Sequence, residues 1–223
     1  MRGVRRTQAW RGGWAVGYHG GMKPVADPAI DVSARYAYRD YRAWPDDERW
    51  ELIRGEAWMM GAPTTTHQRL VAALYRDVFA ALPEGGPCEA FFAPVDVLLP
   101  RRPADSDDEV DTVVQPDLIV VCDPAKVRDK FVRGAPDLVV EILSPSTSGK
   151  DQREKYRVYE ESGVREYWIV DPAGKWFERH ERGPDGRYRK PDLREPWGVD
   201  QSPVPSAVVE GFALDRAALL EPS

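Results

Sequence analysis

Two short apolar runs, rich in β-branched residues, place the strongest constraint on the fold of this 223-residue chain. Residues 117–121 read Asp-Leu-Ile-Val-Val, and residues 138–143 read Leu-Val-Val-Glu-Ile-Leu. Because neither run alternates polar with apolar side chains, each predicts a strand that is buried on both faces. Such strands need a packed layer on either side, which favours an α/β domain.

The surrounding pattern predicts a mixed central sheet flanked by helices. Apolar positions at helical spacing predict a helix over residues 67–82, with N-cap hydroxyls just before it. Arg54 and Gly55 separate two apolar runs and predict a tight hairpin. The other predicted elements are a helix over 149–161, strands over 89–99, 166–170, 176–182 and 187–190, a short helix near 34–44 and a last helix ending at Leu220.

The length and composition of the chain favour one domain, since 42% of its residues are hydrophobic and its net charge is -6. This charge lacks the overall basic character of many nucleic-acid-binding proteins, although a cleft can hold basic groups locally. We predict a single domain over residues 23–223. Residues 1–22 lack apolar periodicity and end at an internal methionine, so we expect a disordered extension or a start-site artefact. A basic nucleic-acid-binding arm is the alternative.

The two cysteines, Cys88 and Cys122, are too few and too far apart in sequence to predict a disulfide framework or a four-ligand zinc site. Cys122 follows an apolar run and is expected to be a small buried side chain. No apolar stretch is long enough to span a membrane. We therefore expect a reducing, cytoplasmic location and no membrane partner.

The chemistry of the chain centres on two carboxylates at neighbouring predicted strands. Glu141 lies inside an apolar strand, where a carboxylate is costly to bury unless it is paired or binds a metal ion. Asp117 opens the other buried strand. Two carboxylates that converge from neighbouring strands predict a site for Mg²⁺ or Mn²⁺, which could activate a water molecule beside a phosphoryl oxygen. A buried salt bridge or an edge position is the alternative for Glu141.

A cation is also expected near the carboxylates, because it would stabilise negative charge that develops during the reaction. Lys155 follows on the next predicted helix, on the same face as Asp151 and Tyr159, which are each four residues away. Lys150 at the start of that helix is a second candidate. A surface ion pair between Lys155 and Asp151 is the alternative.

The segment at residues 134–147 resembles the Uma family of endonucleases, a branch of the PD-(D/E)XK, restriction-endonuclease-like enzymes. Asp151, Lys155 and Tyr159 match the same family. Further matching segments are 51–56, 67–68, 116–118 and 163–172, so that the resemblance spans about residues 36–220. It implies a restriction-endonuclease-like core and divalent-metal-dependent cleavage of phosphodiester bonds in nucleic acid, with DNA as the expected form.

The resemblance also implies roles for individual residues. Asp117 and Glu141 correspond to the metal ligands, and Lys155 corresponds to a catalytic lysine that has moved onto the helix. Leu143 stands where the usual lysine follows the glutamate by two residues. Glu51 corresponds to a third acid, with a hairpin salt bridge as the alternative. Residues expected to contact substrate are His67, Lys150 and Tyr159, although a capping or surface role is equally compatible with His67.

Two other functions are compatible with the same residues. One is a non-catalytic module that binds nucleic acid or a protein partner, and the other is a hydrolase of a different phosphate ester. Retention of Asp117, Glu141 and Lys155 favours the nuclease over the binding module. A homodimer is expected by analogy with enzymes of this fold that cut both strands of a duplex.

Overall fold

The two apolar runs form neighbouring strands inside a six-stranded sheet of the computed structural model. The structure describes residues 30–45, 47–143, 149–189, 195–196 and 202–215, without the side chains of 149–152 and 195–196. The helices are α1 (Tyr38–Tyr41), α2 (Thr65–Ala81) and α3 (Gly149–Ser162). The strands are β1 (Trp50–Ile53), β2 (Glu56–Met59), β3 (Glu89–Phe92), β4 (Asp96–Leu98), β5 (Val113–Val114), β6 (Leu118–Val121), β7 (Phe131–Arg133), β8 (Leu138–Ile142), β9 (Glu166–Asp171), β10 (Trp176–Glu181), β11 (Glu195–Pro196), β12 (Val204–Pro205) and β13 (Ala213–Leu214).

The six-stranded sheet has the strand order β11-β10-β9-β8-β6-β3 and is covered on both faces. Leu118 and Val140 project from one face and pack in a cluster with Leu74 of α2. Ile119 and Val139 project from the other face and pack with residues of α3 and of the second sheet. This double coverage explains why β6 and β8 are apolar throughout, as the sequence predicted.

The central sheet is divided in two, which the sequence did not predict. A second sheet has the order β2-β1-β5-β4-β7, and its only parallel pair is β4 with β7. The predicted strand over residues 89–99 is two strands, β3 and β4, and the peptide bond between Ala93 and Pro94, which lie between them, is cis. Strand β3 joins the six-stranded sheet and β4 joins the other. The predicted hairpin at Arg54 and Gly55 is present as β1 and β2.

The expectation that Cys122 is simply a small buried side chain is wrong, because Cys88 and Cys122 form a disulfide bond with an S–S distance of 2.09 Å. The antiparallel register pairs Glu89 of β3 with Val121 of β6, so the two cysteines face each other just beyond the paired strands. The two cysteines are 34 residues apart in the sequence, and this spacing does not indicate that their strands pair.

Three other sequence-based expectations concern the ends of the chain and its membrane contacts. The predicted strand over 187–190 is reduced to an isolated bridge between Arg182 and Tyr188. Residues 1–22 and the last predicted helix, which ends at Leu220, lie outside the described residues. Within the described ranges, no helix is both long enough and apolar enough to cross a lipid bilayer.

Candidate active site

Asp117 and Glu141 stand opposite each other on one face of the six-stranded sheet. The antiparallel register of β6 and β8 pairs Leu118 with Val140, which sets Asp117 against Glu141 at the end of the two strands. Because alternate residues of a strand share a face, both carboxylates lie on the side that α3 covers. Asp117 is 9% exposed and Glu141 is 8% exposed, so the two acids approach each other in a largely desolvated setting.

The Asp117 carboxylate is fixed through one of its two oxygens. Its Oδ2 accepts a hydrogen bond from the backbone N–H of Ile142 at 2.7 Å and lies 3.1 Å from Nε2 of His67. His67 occupies the first turn of α2, where the hydroxyl of Thr64 caps the helix by accepting from the His67 backbone N–H. Among the described residues, none donates to Oδ1 of Asp117, which leaves that oxygen open to a ligand.

The Glu141 carboxylate is also held through a single oxygen. Its Oε1 accepts from the Tyr159 hydroxyl at 2.6 Å and from Nζ of Lys155 at 3.1 Å. Burial raises the pKa of Glu141 above its usual range, the Lys155 cation opposes this increase, and the charges of Asp117 and Glu51 add to it. A bound divalent cation would lower this pKa, because it favours the ionised carboxylate.

Lys155 is the buried cation of the site. Its Nζ lies 2.9 Å from Oε1 of Glu51 and 3.1 Å from Oε1 of Glu141, and the residue is only 6% exposed. Lys155 and Tyr159 are one helical turn apart in α3, so both reach Glu141 from the same helix face. The burial of Lys155 rules out the alternative of a surface lysine.

Glu51 joins the second sheet to this cluster. It lies in β1, is 3% exposed, and accepts the backbone N–H of Gln115 at 2.7 Å with the same oxygen that contacts Lys155. Glu51 is thus part of an ion-pair network, but its partner is the helix lysine and not a residue of its own hairpin. Gln115 is a site residue that the sequence did not indicate, because it contributes a backbone N–H and not a characteristic side chain.

The other predicted substrate contacts have different positions. Tyr159 is fully buried, and its hydroxyl donates a hydrogen bond to Glu141. His67 is 8% exposed and touches Asp117. The side chain of Lys150 lies outside the described part of the chain.

The donor chemistry of the site suits a hard divalent cation. Asp117 Oδ1 and Glu141 Oε2 receive no hydrogen bond from any described residue, and carboxylate oxygens are preferred ligands of Mg²⁺ and Mn²⁺. Within the described ranges, no three His, Cys, Asp or Glu side chains are grouped so that they could hold a metal ion by themselves. Water or substrate oxygens would have to complete the coordination, as is common for Mg²⁺.

Comparison with known proteins places this chain in a family. The crystal structure of a protein from Anabaena variabilis described as "a putative nuclease belonging to DUF820" superposes with a TM-score of 0.61 over 81% of this chain and 94% of that chain, at 16% identity. The "Uncharacterized protein slr1290" of Synechocystis sp. is 24% identical over 183 residues, which cover 78% of this chain and 92% of that protein.

The shared fold confirms the nuclease-like α/β class that the resemblance implied. A family model described as "Uma2: Putative restriction endonuclease" matches residues 38–216, most of the chain. The protein therefore belongs to the Uma2 family.

Proposed function

We propose that this protein is a divalent-metal-dependent endonuclease that hydrolyses phosphodiester bonds in nucleic acid, with DNA as the expected substrate. The observation that carries the proposal is the set of buried charges on one sheet face: Asp117 opposite Glu141, with Lys155 bound to Glu141 and to Glu51. Membership of the Uma2 family supports it. Strongly perturbed, buried titratable groups that converge from several elements are typical of catalytic sites.

The proposed mechanism assigns a separate task to each of these residues. Asp117 and Glu141 would hold Mg²⁺ or Mn²⁺, and such an ion, when bound, polarises a phosphoryl oxygen and lowers the pKa of a bound water molecule. Lys155 would stabilise the negative charge that develops on the attacked phosphate, because its ammonium is held in place before substrate arrives. Tyr159 and His67 would keep the two carboxylates in position through their contacts.

A cleavage assay on four substrates tests the proposal directly. Supercoiled plasmid, linear duplex DNA, single-stranded DNA and RNA would each be incubated with the protein and Mg²⁺ or Mn²⁺, with EDTA as the control. We expect metal-dependent internal cleavage of at least one DNA substrate. Binding of nucleic acid without cleavage of any of them would instead support the non-catalytic module.

The products from plasmid also test the proposed homodimer. Two copies of a chain, each with one active site, can cut both strands of a duplex together. We therefore expect linear product to appear without accumulation of nicked circles, and sedimentation to give the mass of a dimer. Accumulation of nicked circles by a protein that sediments as a monomer would refute the proposed homodimer.

Replacing His67 by alanine should weaken metal binding without removing it. Asp117 would keep the backbone N–H of Ile142 but lose the imidazole that holds the same oxygen. Loss of a residue that orients a metal ligand commonly costs roughly tenfold in affinity. Isothermal titration with Mn²⁺ would measure the change, and Gln68→Ala at the exposed neighbouring position of α2 is the matched control. Equal Mn²⁺ affinity in His67→Ala and wild type would contradict the positioning role.

A further inference from the structure

A cavity of about 760 Å³ lies beside the candidate active site, within the size range of small-ligand pockets. Aromatic rings form much of its wall. The Tyr41 and Trp44 ring centroids are 5.5 Å apart, and those of Trp44 and Trp50 are 5.7 Å apart with nearly perpendicular planes. The other aromatic residues that line the cavity are Tyr38 and Phe131. Such a wall offers flat surfaces to a planar ligand.

The polar part of the cavity includes the Asp96 carboxylate, which the described residues hold through one of its two oxygens. Oδ1 of Asp96 accepts from the Tyr41 hydroxyl and from Nε2 of Gln115, each at 2.9 Å. Oε1 of Gln115 in turn accepts two guanidinium N–H groups of Arg49. No described residue donates to Oδ2 of Asp96. The network therefore fixes the carboxylate in place and leaves its second oxygen available to a ligand.

Two of the basic side chains that line the cavity could contact a ligand together with the Asp96 carboxylate. Arg49 and Lys130 line the cavity, and neither forms an ion pair with a carboxylate among the described residues. Of the other lining acids, Asp107 and Asp108 pair with Arg133 and Arg42, and Glu48 accepts the indole N–H of Trp50. The guanidinium of Arg49 and the ammonium of Lys130 can attract a phosphate group.

The cavity is connected to the catalytic cluster through the backbone. Gln115 lines the cavity with its side chain, and its backbone N–H donates to Glu51. It also precedes Asp117 by two residues, so its Cα lies within about 7 Å of that of Asp117. Burial raises the pKa of Asp96 and the charge of Glu51 adds to this increase, so the Glu51 carboxylate lies near the cavity network. A ligand in the cavity would therefore lie near the ion pair of Glu51 and Lys155.

We propose that this cavity binds one unpaired nucleobase that carries an exocyclic amino group, cytosine above all, next to the phosphodiester that is cut. The proposal deepens the proposed nuclease function and rests on it. Aromatic side chains stack on bases, and a carboxylate accepts a hydrogen bond from the amino group of cytosine. Thymine presents a carbonyl oxygen at the same position of its ring, which the Asp96 carboxylate repels.

The test is the base preference of the wild-type protein and of Asp96→Asn in EDTA, where the proposed reaction cannot proceed. Fluorescein-labelled oligo(dC) and oligo(dT) of equal length would be titrated by fluorescence anisotropy at about pH 8, because burial raises the pKa of Asp96 and the carboxyl must be ionised. The asparagine oxygen can still accept from Tyr41 and Gln115, while its amide group replaces the open acceptor by a donor.

We expect the wild-type protein to bind oligo(dC) roughly tenfold more tightly than oligo(dT), and Asp96→Asn to lose or reverse this preference. Asp77→Asn, which removes the same charge from α2, should keep the wild-type preference. A purely structural role of Asp96 would weaken both oligomers equally and would overturn the proposal, as would an absence of binding. Because no metal is present, base-selective binding by a protein that cuts nothing would refute the nuclease and leave the cavity assignment intact.

Discussion

Asp117→Asn and Glu141→Gln should each lower metal-dependent cleavage at least about a thousandfold, because each removes an anionic ligand of the proposed metal site. The folded state should persist in Asp117→Asn. The asparagine oxygen can accept the Ile142 N–H and the His67 imidazole as the aspartate oxygen does. Plasmid cleavage with Mn²⁺ and calorimetric titration of Mn²⁺ into each variant would measure activity and metal affinity separately.

The chain supplies a matched control at the opposite end of the same strand pair. Oδ2 of Asp137 accepts the backbone N–H of Cys122, just as Oδ2 of Asp117 accepts that of Ile142. Asp137 also pairs with an arginine, Arg165, and not with a second acid. Asp137→Asn should therefore keep cleavage and Mn²⁺ binding near the wild-type level. Equal loss of activity in Asp117→Asn and Asp137→Asn would mean that the strand ends matter for folding and not for chemistry.

The sequence was sufficient to bring together the residues at the centre of the site, because their placement follows from local periodicity. Continuous apolar runs predicted two strands buried on both faces, and Asp117 and Glu141 lie in register on those strands. The spacing of four between Lys155 and Tyr159 put both on one helix face, and both contact Glu141 in the structure. A charged residue in such a segment is informative, because its burial is unfavourable unless it is paired or binds a metal ion.

Contacts between strands that are far apart in the chain could not be predicted from the sequence. The bond between Cys88 and Cys122 follows from the pairing of β3 with β6, and no spacing rule indicates that pairing. The division into two sheets separates β3 from β4, inside a segment that predicts one strand. The contact of Tyr41 with Asp96 joins residues 55 positions apart. The hydrogen-bond network at the cavity therefore could not be predicted before the fold was known.

Lys155→Met should destabilise the metal-free protein more than any other single change at the site, by about 3–5 kcal/mol. Methionine fills a similar volume, but it leaves Glu51 and Glu141 buried without their shared cation. Because Lys155 lowers the pKa of Glu141, its loss should raise that pKa further. A carboxyl with a raised folded-state pKa contributes stability that is present below the unfolded value and lost as the pH rises through the folded value. The variant should therefore lose stability as the pH rises above 4.5, the ordinary value for glutamate.

The same variant separates the catalytic role of the lysine from its structural role. Cleavage should fall at least about a hundredfold. Mn²⁺ affinity should be unchanged or higher, because a positive charge next to Glu141 has been removed. Mn²⁺ should then restore part of the lost stability by binding the folded state. Urea denaturation with and without Mn²⁺, together with plasmid cleavage, would measure these effects. Lys126→Met, which removes a lysine that donates to the carbonyl of Ala135 and contacts no carboxylate among the described residues, is the control. If Mn²⁺ restored both stability and full cleavage to Lys155→Met, the lysine would serve as a counter-ion of the metal-free state and not as a catalytic group.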